Sequence, residues 1–191
     1  MGKTKSIRLT ALLLLIFAAA FSRIIPHPFN FSPLGAIALF GAAHFSKKWL
    51  AFLVPLAATF LSDLVLNNTV YANLQPGFQW ISGGFYWMYG SYLLITLAGI
   101  FILEKRSLTR IGFSALVSTG LFFLVTNFGC WYGSKTFSQD FSGLMECYVF
   151  ALPFLKGTLA GDLFYATMLF GIFAFAEKRF PALGLENKDG Y

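Results

Sequence analysis

Long apolar runs separated by short polar joints set the pattern of this chain. Residues 85–103 and 111–132 contain no charged side chain. Residues 157–176 contain one, Asp162; residues 49–66 carry Asp63 near their end, and residues 9–25 carry Arg23 near theirs. A hydrocarbon core of about 30 Å takes about 20 helical residues at about 1.5 Å each, so each run predicts a membrane-crossing helix. Residues 33–46 are apolar but give only about 21 Å as a helix. Residues 143–176 would make a helix of about 51 Å, too long for one crossing. Pro153 predicts its division into a short interfacial helix at 143–152 and a last span at 154–177. Barrel strands would alternate apolar and polar positions, which these runs do not, and backbone in lipid must then pair within helices. The predicted fold is an all-α integral membrane protein of one domain, residues 1–183. Its helices are expected at approximately 9–25, 33–46, 49–66, 85–103, 111–132 and 154–177, with a cytoplasmic tail at 184–191.

Composition agrees with a lipid-facing surface. Of 191 residues, 57% are hydrophobic, 24 are Phe, and only 12% are charged, against about 25% charged in a soluble domain. Charge placement decides whether 33–46 crosses. With six spans and a cytoplasmic N-terminus, the inside receives Lys3, Lys5, Arg8, Lys47, Lys48, Lys105, Arg106, Arg110, Lys178, Arg179 and Lys188. Only Arg23, Lys135 and Lys156 remain outside. If 33–46 dips in and returns, every later loop changes side and the basic residues Lys105, Arg106, Arg110, Lys178 and Arg179 sit outside, against the positive-inside rule. Six crossings with both termini cytoplasmic are therefore expected, as is a multi-pass place in the inner membrane. The net charge of +6 needs no nucleic acid, because loops facing anionic headgroups account for it. The basic start, the apolar run 9–17 and Ala18-Ala19-Ala20 also fit a cleaved secretory signal; against it, the apolar face continues through Phe21, Ile24 and Ile25.

Ionisable side chains in a membrane are costly, so each is a functional candidate. In this topology nearly all embedded polar groups fall in the outer half: Arg23, His27 and Asn30; Asp63 and Asn67; Asn127 and Trp131; Glu146 and Tyr148; and Asp162. Trp80 joins them from the aromatic, uncharged loop 67–84. Such a cluster predicts an outward-open small-molecule pocket lined by aromatic, amide and charged groups. A channel would be polar along its whole length and a proton-coupled carrier would place an acid at the midplane. The competing structural reading is that Arg23 pairs with Asp63 or Asp162 only to neutralise buried charge. The chain holds no nucleophile elbow, nucleotide loop or zinc-protease motif. His27 and His44 fall on opposite sides and cannot share a metal, and His44 beside Lys47 and Lys48 reads as a headgroup contact. Cys130 and Cys147 both lie on the outer side, where a disulfide, free thiols or a thiolate ligand are all open. No cofactor is expected. Gly35, Ala38, Gly41 and Ala42 along the second segment, and Ala18-xxx-Ser22 in the first, are spaced for close helix contact.

Four strings carry a family likeness: SRIIPHPFNFSPLGAIALFGAAHF at 22–45, LSDL at 61–64, TNFGCW at 126–131 and CYVFALPFLKGTLAGDLFYATMLFG at 147–171. Together they resemble a family of small bacterial integral-membrane proteins similar to the S components, the substrate-binding subunits of energy-coupling factor vitamin transporters. The resemblance implies capture of a vitamin or related micronutrient from outside, with a transmembrane scaffold and ATPase subunits supplying energy. S components dock through an Ala-xxx-Ala face on the first helix, which here is only Ala18-xxx-Ser22. Small cobalamin-binding relatives place a cysteine after the third helix, and loop 67–84 has none. The alternative of another class is a membrane enzyme, or a lipid- or cofactor-handling assembly factor, using Asp63, Asp162 and His27 as acid–base groups.

Overall fold

The computed structural model describes residues 2–74 and 76–184; of the expected tail, all beyond Gly184 lies outside the described residues. The described residues form helices and turns without a strand. They are α1 (Gly2–Phe21), α2 (Leu34–His44), α3 (Lys48–Asn68), α4 (Phe85–Ile102), α5 (Leu108–Trp131) and α6 (Phe141–Arg179), with short 3-10 turns at Ser22–Ile24, Ala72–Leu74 and Pro181–Leu183. Five of the helices are long and apolar enough to cross a membrane. Their outer surface has the chemistry of a lipid contact: Leu93, Leu94, Leu97 and Phe101 of α4 and Phe164, Ile172 and Phe175 of α6 are all exposed. Water would penalise that surface and hydrocarbon does not. The chain is a multi-pass membrane protein.

The short helix is the hub. α2 has 11 residues, about 17 Å of helix, and every residue except Ala43 is buried. It touches each of the other five helices. Small residues let them approach: a Cβ on Gly41 would meet Ala51 O of α3 at 3.2 Å, and one on Gly99 of α4 would meet Ala42 Cβ at 2.9 Å. The small-residue stripe of α2 thus serves packing within the chain. In the same half of α2, Phe40 meets Phe170 and Phe173 of α6 edge-on, with ring centroids 5.4 and 5.7 Å apart.

Helix ends obey local chemistry. Ser107 has extended backbone before α5 and accepts a hydrogen bond from Arg110 N at 3.3 Å, while Asp140 accepts from Gly143 N at 2.8 Å before α6. Both are N-caps. The Gly143 N–H and the Ser138 hydroxyl hold the Asp140 carboxyl below its ordinary range.

Two expectations are corrected. Pro153 does not divide the last segment into an interfacial helix at 143–152 and a span at 154–177: α6 runs unbroken for 39 residues, about 58 Å. Proline removes one N–H and crowds the carbonyl four residues back, but neighbouring helices support the flanking turns in a membrane bundle. Pro55 is carried inside α3 in the same way. His44 is not a headgroup contact. It is buried, its Nδ1 lies 2.9 Å from Phe40 O, and its ring sits 4.2 Å from Phe40 and 4.8 Å from Phe173.

Candidate functional site

At one end of the bundle, an extended strap from residue 25 to residue 33 connects α1 to the buried start of α2. Three of its residues are prolines, Pro26, Pro28 and Pro33, which fix φ and leave no backbone N–H to satisfy. Asn30 turns it, with a left-handed φ of 59°, a region asparagine tolerates better than most residues. The strap lies on α6 through two glycines one helical turn apart. A Cβ on Gly157 would collide with Phe29 O, and one on Gly161 would sit 2.6 Å from Ser32 N.

Beneath the strap is a cavity of about 490 Å³. Its walls include Arg23, His27 and Asn30, the first turn of α2 at Leu34 and Gly35, Tyr92 of α4, Ser118 and Phe122 of α5, and Thr158 and Asp162 of α6. Tyr92 and Phe122 stack at 5.7 Å with an interplanar angle of 21°, giving the cavity a flat aromatic side. A second cavity of about 430 Å³ shares Asn30, Met88, Phe122 and Thr158 with it and continues past Trp87, Asn127 and Cys130. Both volumes suit a small organic molecule.

The charged groups are arranged in two layers. Arg23 Nη1 reaches Asp63 Oδ1 at 2.6 Å and Ser62 Oγ at 2.9 Å, and the Tyr89 hydroxyl donates to Asp63 Oδ2 at 2.8 Å. Asp63 therefore sits behind the cavity wall with both oxygens engaged. Of its two possible acidic partners, Arg23 takes Asp63. Asp162 is 2% exposed and accepts a hydrogen bond from the Thr119 hydroxyl at 2.9 Å. Gly35 makes room for it, since a Cβ there would run into Asp162 Oδ1 and Ser118 Oγ.

Of the candidate residues, Arg23, His27, Asn30 and Asp162 line the first cavity and Asn127 the second. His27 is exposed, its Nδ1 2.7 Å from Ile25 O. Asn127 donates to Phe123 O at 2.7 Å. Trp80, Trp131, Glu146 and Tyr148 lie outside both cavities. Trp80 packs edge-on against Phe78 in an exposed loop. Trp131 Nε1 donates to Ser138 O at 2.8 Å, tying the end of α5 to the loop before α6. The Tyr148 hydroxyl donates to Leu124 O at 2.8 Å, tying α6 back to α5. Glu146 is exposed. Cys130 and Cys147 are free thiols, and Cys147 is buried with Sγ 3.5 Å from Asn127 O. Gly35, Tyr92, Ser118, Phe122 and Thr158 were not singled out as site residues by the sequence; the small-residue spacing Gly157-xxx-Gly161, also passed over, is the signal that could have pointed to the close approach of the strap.

The opposite end, where the sequence gathers most of its basic residues, is also polar. Arg8 of α1 is buried, pairs with Glu177 of α6 at 2.7 Å, donates to Leu183 O, and lies 5.0 Å from the Phe173 ring centre. Arg106 stands 3.6 Å from the same Glu177. These contacts bring Arg8, near the start of the chain, and Leu183 to one face of the bundle. Among the described residues, no group of three or more His, Cys, Asp or Glu side chains is placed to hold a metal.

Residues 3–183 match the model of a family of unknown function, DUF6580, and the chain belongs to that family. No curated protein and no solved structure matches it.

Proposed function

We propose that this DUF6580 member is the substrate-binding subunit of an uptake system, similar to an S component, and takes a vitamin or related micronutrient from the outer side of the cytoplasmic membrane. The observation that carries the reading is the cavity of about 490 Å³ under the strap, at the end of the bundle away from the Arg8–Glu177–Arg106 cluster. In this reading the chain crosses six times, the second crossing being made by the strap and α2 together. The basic residues at the α2–α3 and α4–α5 joints and at the C-terminal end of α6 then face the cytoplasm, as the positive-inside rule asks. A scaffold and ATPase subunits, as in the transporters it resembles, supply energy that this chain has no nucleotide loop to provide. Of the acid–base groups of the enzyme alternative, Asp63 has both oxygens engaged and His27 Nδ1 lies 2.7 Å from Ile25 O, which leaves Asp162 to carry that reading.

Two measurements test the reading. Protein purified gently from its own host and examined by native mass spectrometry should retain an unmodified small molecule; a turned-over product formed by the purified chain alone would sink it. Reporters fused near Lys47, Ser107 and Lys178 should read as cytoplasmic, and those near Asn73 and Ser138 as external. A cytoplasmic signal at Asn73 would invert the cavity and remove the proposal.

A further inference from the structure

We propose that the molecule taken by the cavity under the strap carries a cationic nitrogen, which docks on Asp162 and Ser118 while its flat remainder lies along Tyr92 and Phe122; this rests on reading that cavity as a ligand site. Asp162 is buried on α6 and, among the described residues, has no ion-pair partner. It accepts a hydrogen bond from the Thr119 hydroxyl at 2.9 Å, and the Ser118 hydroxyl and the Ala36 N–H also face it, but none of these carries a full positive charge. Beside it the Ser118 hydroxyl is fully buried and completes no hydrogen bond of normal geometry. Both residues line the cavity. A buried carboxylate and a buried, unpaired hydroxyl are each costly unless something completes them.

The surroundings decide the sign of that partner. Arg23 is the one Lys or Arg side chain among the cavity walls, and Asp63 holds it at 2.6 Å. The start of α2 would ordinarily favour an anion, because a helix N-terminus carries about half a positive charge. Here that place is filled from within the chain: the Asp162 carboxylate and Ser118 Oγ flank Gly35 in the first turn of α2. A carboxylate or phosphate entering the cavity would meet Asp162 rather than free N–H groups. A cation would meet an acid that its own positive charge would hold in the ionised form. The stacked Tyr92–Phe122 pair adds aromatic surface of the kind that attracts cations and flat rings. The class is therefore a compact heteroaromatic amine, protonated or quaternary, and not an acid.

The test equilibrates purified protein with an equimolar mixture of heteroaromatic amines, alcohols and carboxylates matched in size. Retained compounds are then separated by gel filtration and counted by mass spectrometry. Amines should be retained about tenfold or more over their matched alcohols, and carboxylates least. Asp162→Asn should erase that order while still retaining some of the neutral compounds. Ser118→Ala, which leaves the charge in place, should weaken amine retention less and serves if Asp162→Asn does not fold. Equal retention of amines and alcohols, or preference for carboxylates, would overturn the cation assignment and leave the cavity a binding site. Retention of nothing by the wild-type protein would overturn both.

Discussion

Arg23→Ala is expected to lower the stability of the ligand-free protein by about 3–5 kcal/mol, the usual consequence of leaving one member of a buried ion pair alone. The pair is close, at 2.6 Å, and its side chains are only 14% and 12% exposed. Without the guanidinium, Asp63 keeps the Tyr89 hydroxyl on one oxygen and loses its partner on the other. The effect belongs to the lone charge and not to the lost contact. Arg23→Met combined with Asp63→Leu should therefore recover most of the loss, since two apolar side chains need no partner. Tyr89→Phe should cost less, about 1.5–3 kcal/mol, as one hydrogen bond to a charged group. Thermal denaturation in a mild detergent, followed by loss of monodisperse protein, measures all of these variants. A single Arg23→Ala variant as stable as the wild type would show that the pair does not hold α1 to α3.

The second large effect is expected where the strap meets α6. Gly157→Ala and Gly161→Ala should each cost about 1–3 kcal/mol, the range for overfilling a packed site. The obstacles are backbone atoms of Phe29 and Ser32, which cannot rotate aside as a side chain can. The strap must lift, opening the cavity and loosening residues 25–30, which are already exposed, so that protease cuts them faster. Gly171→Ala on the same helix is the control, because nothing lies within 4 Å of its Cβ position. Removing a mid-helix glycine there should be neutral or stabilising by about 0.5–1 kcal/mol. Were Gly161→Ala to melt and resist protease like Gly171→Ala, the strap would not be seated on these glycines.

Lipid contact was legible in the sequence because hydrocarbon selects composition at every outward position. The runs at 49–66, 85–103 and 111–132 become α3, α4 and α5 with ends shifted by a few residues. Residue type alone could not pair the charged groups that the sequence marked. Arg23 has two acids at compatible depth, and only the packing of α1 against α3 selects Asp63 over Asp162. Ser118 and Thr119 carried no signal, because a hydroxyl in a membrane helix commonly bonds its own preceding turn, as Thr96 and Thr126 do. Amphipathic aromatic side chains mislead in the other direction: Trp131 and Tyr148 fasten neighbouring backbone instead of lining a cavity. The break expected at Pro153 rests on a rule drawn from helices in water, and α6 passes through it.

The central place of α2 also sets an order of assembly. Its faces are covered by α3, α4, α5 and α6 as well as by α1, and all but α1 are translated after it. When residues 34–44 leave the ribosome, most of their final neighbours do not yet exist. At about 17 Å the helix is too short to span the hydrocarbon layer by itself while it waits. The segment at the heart of the finished protein is therefore expected to complete its burial only after the later helices have been made, and the strap can seat on Gly157 and Gly161 only once α6 is present.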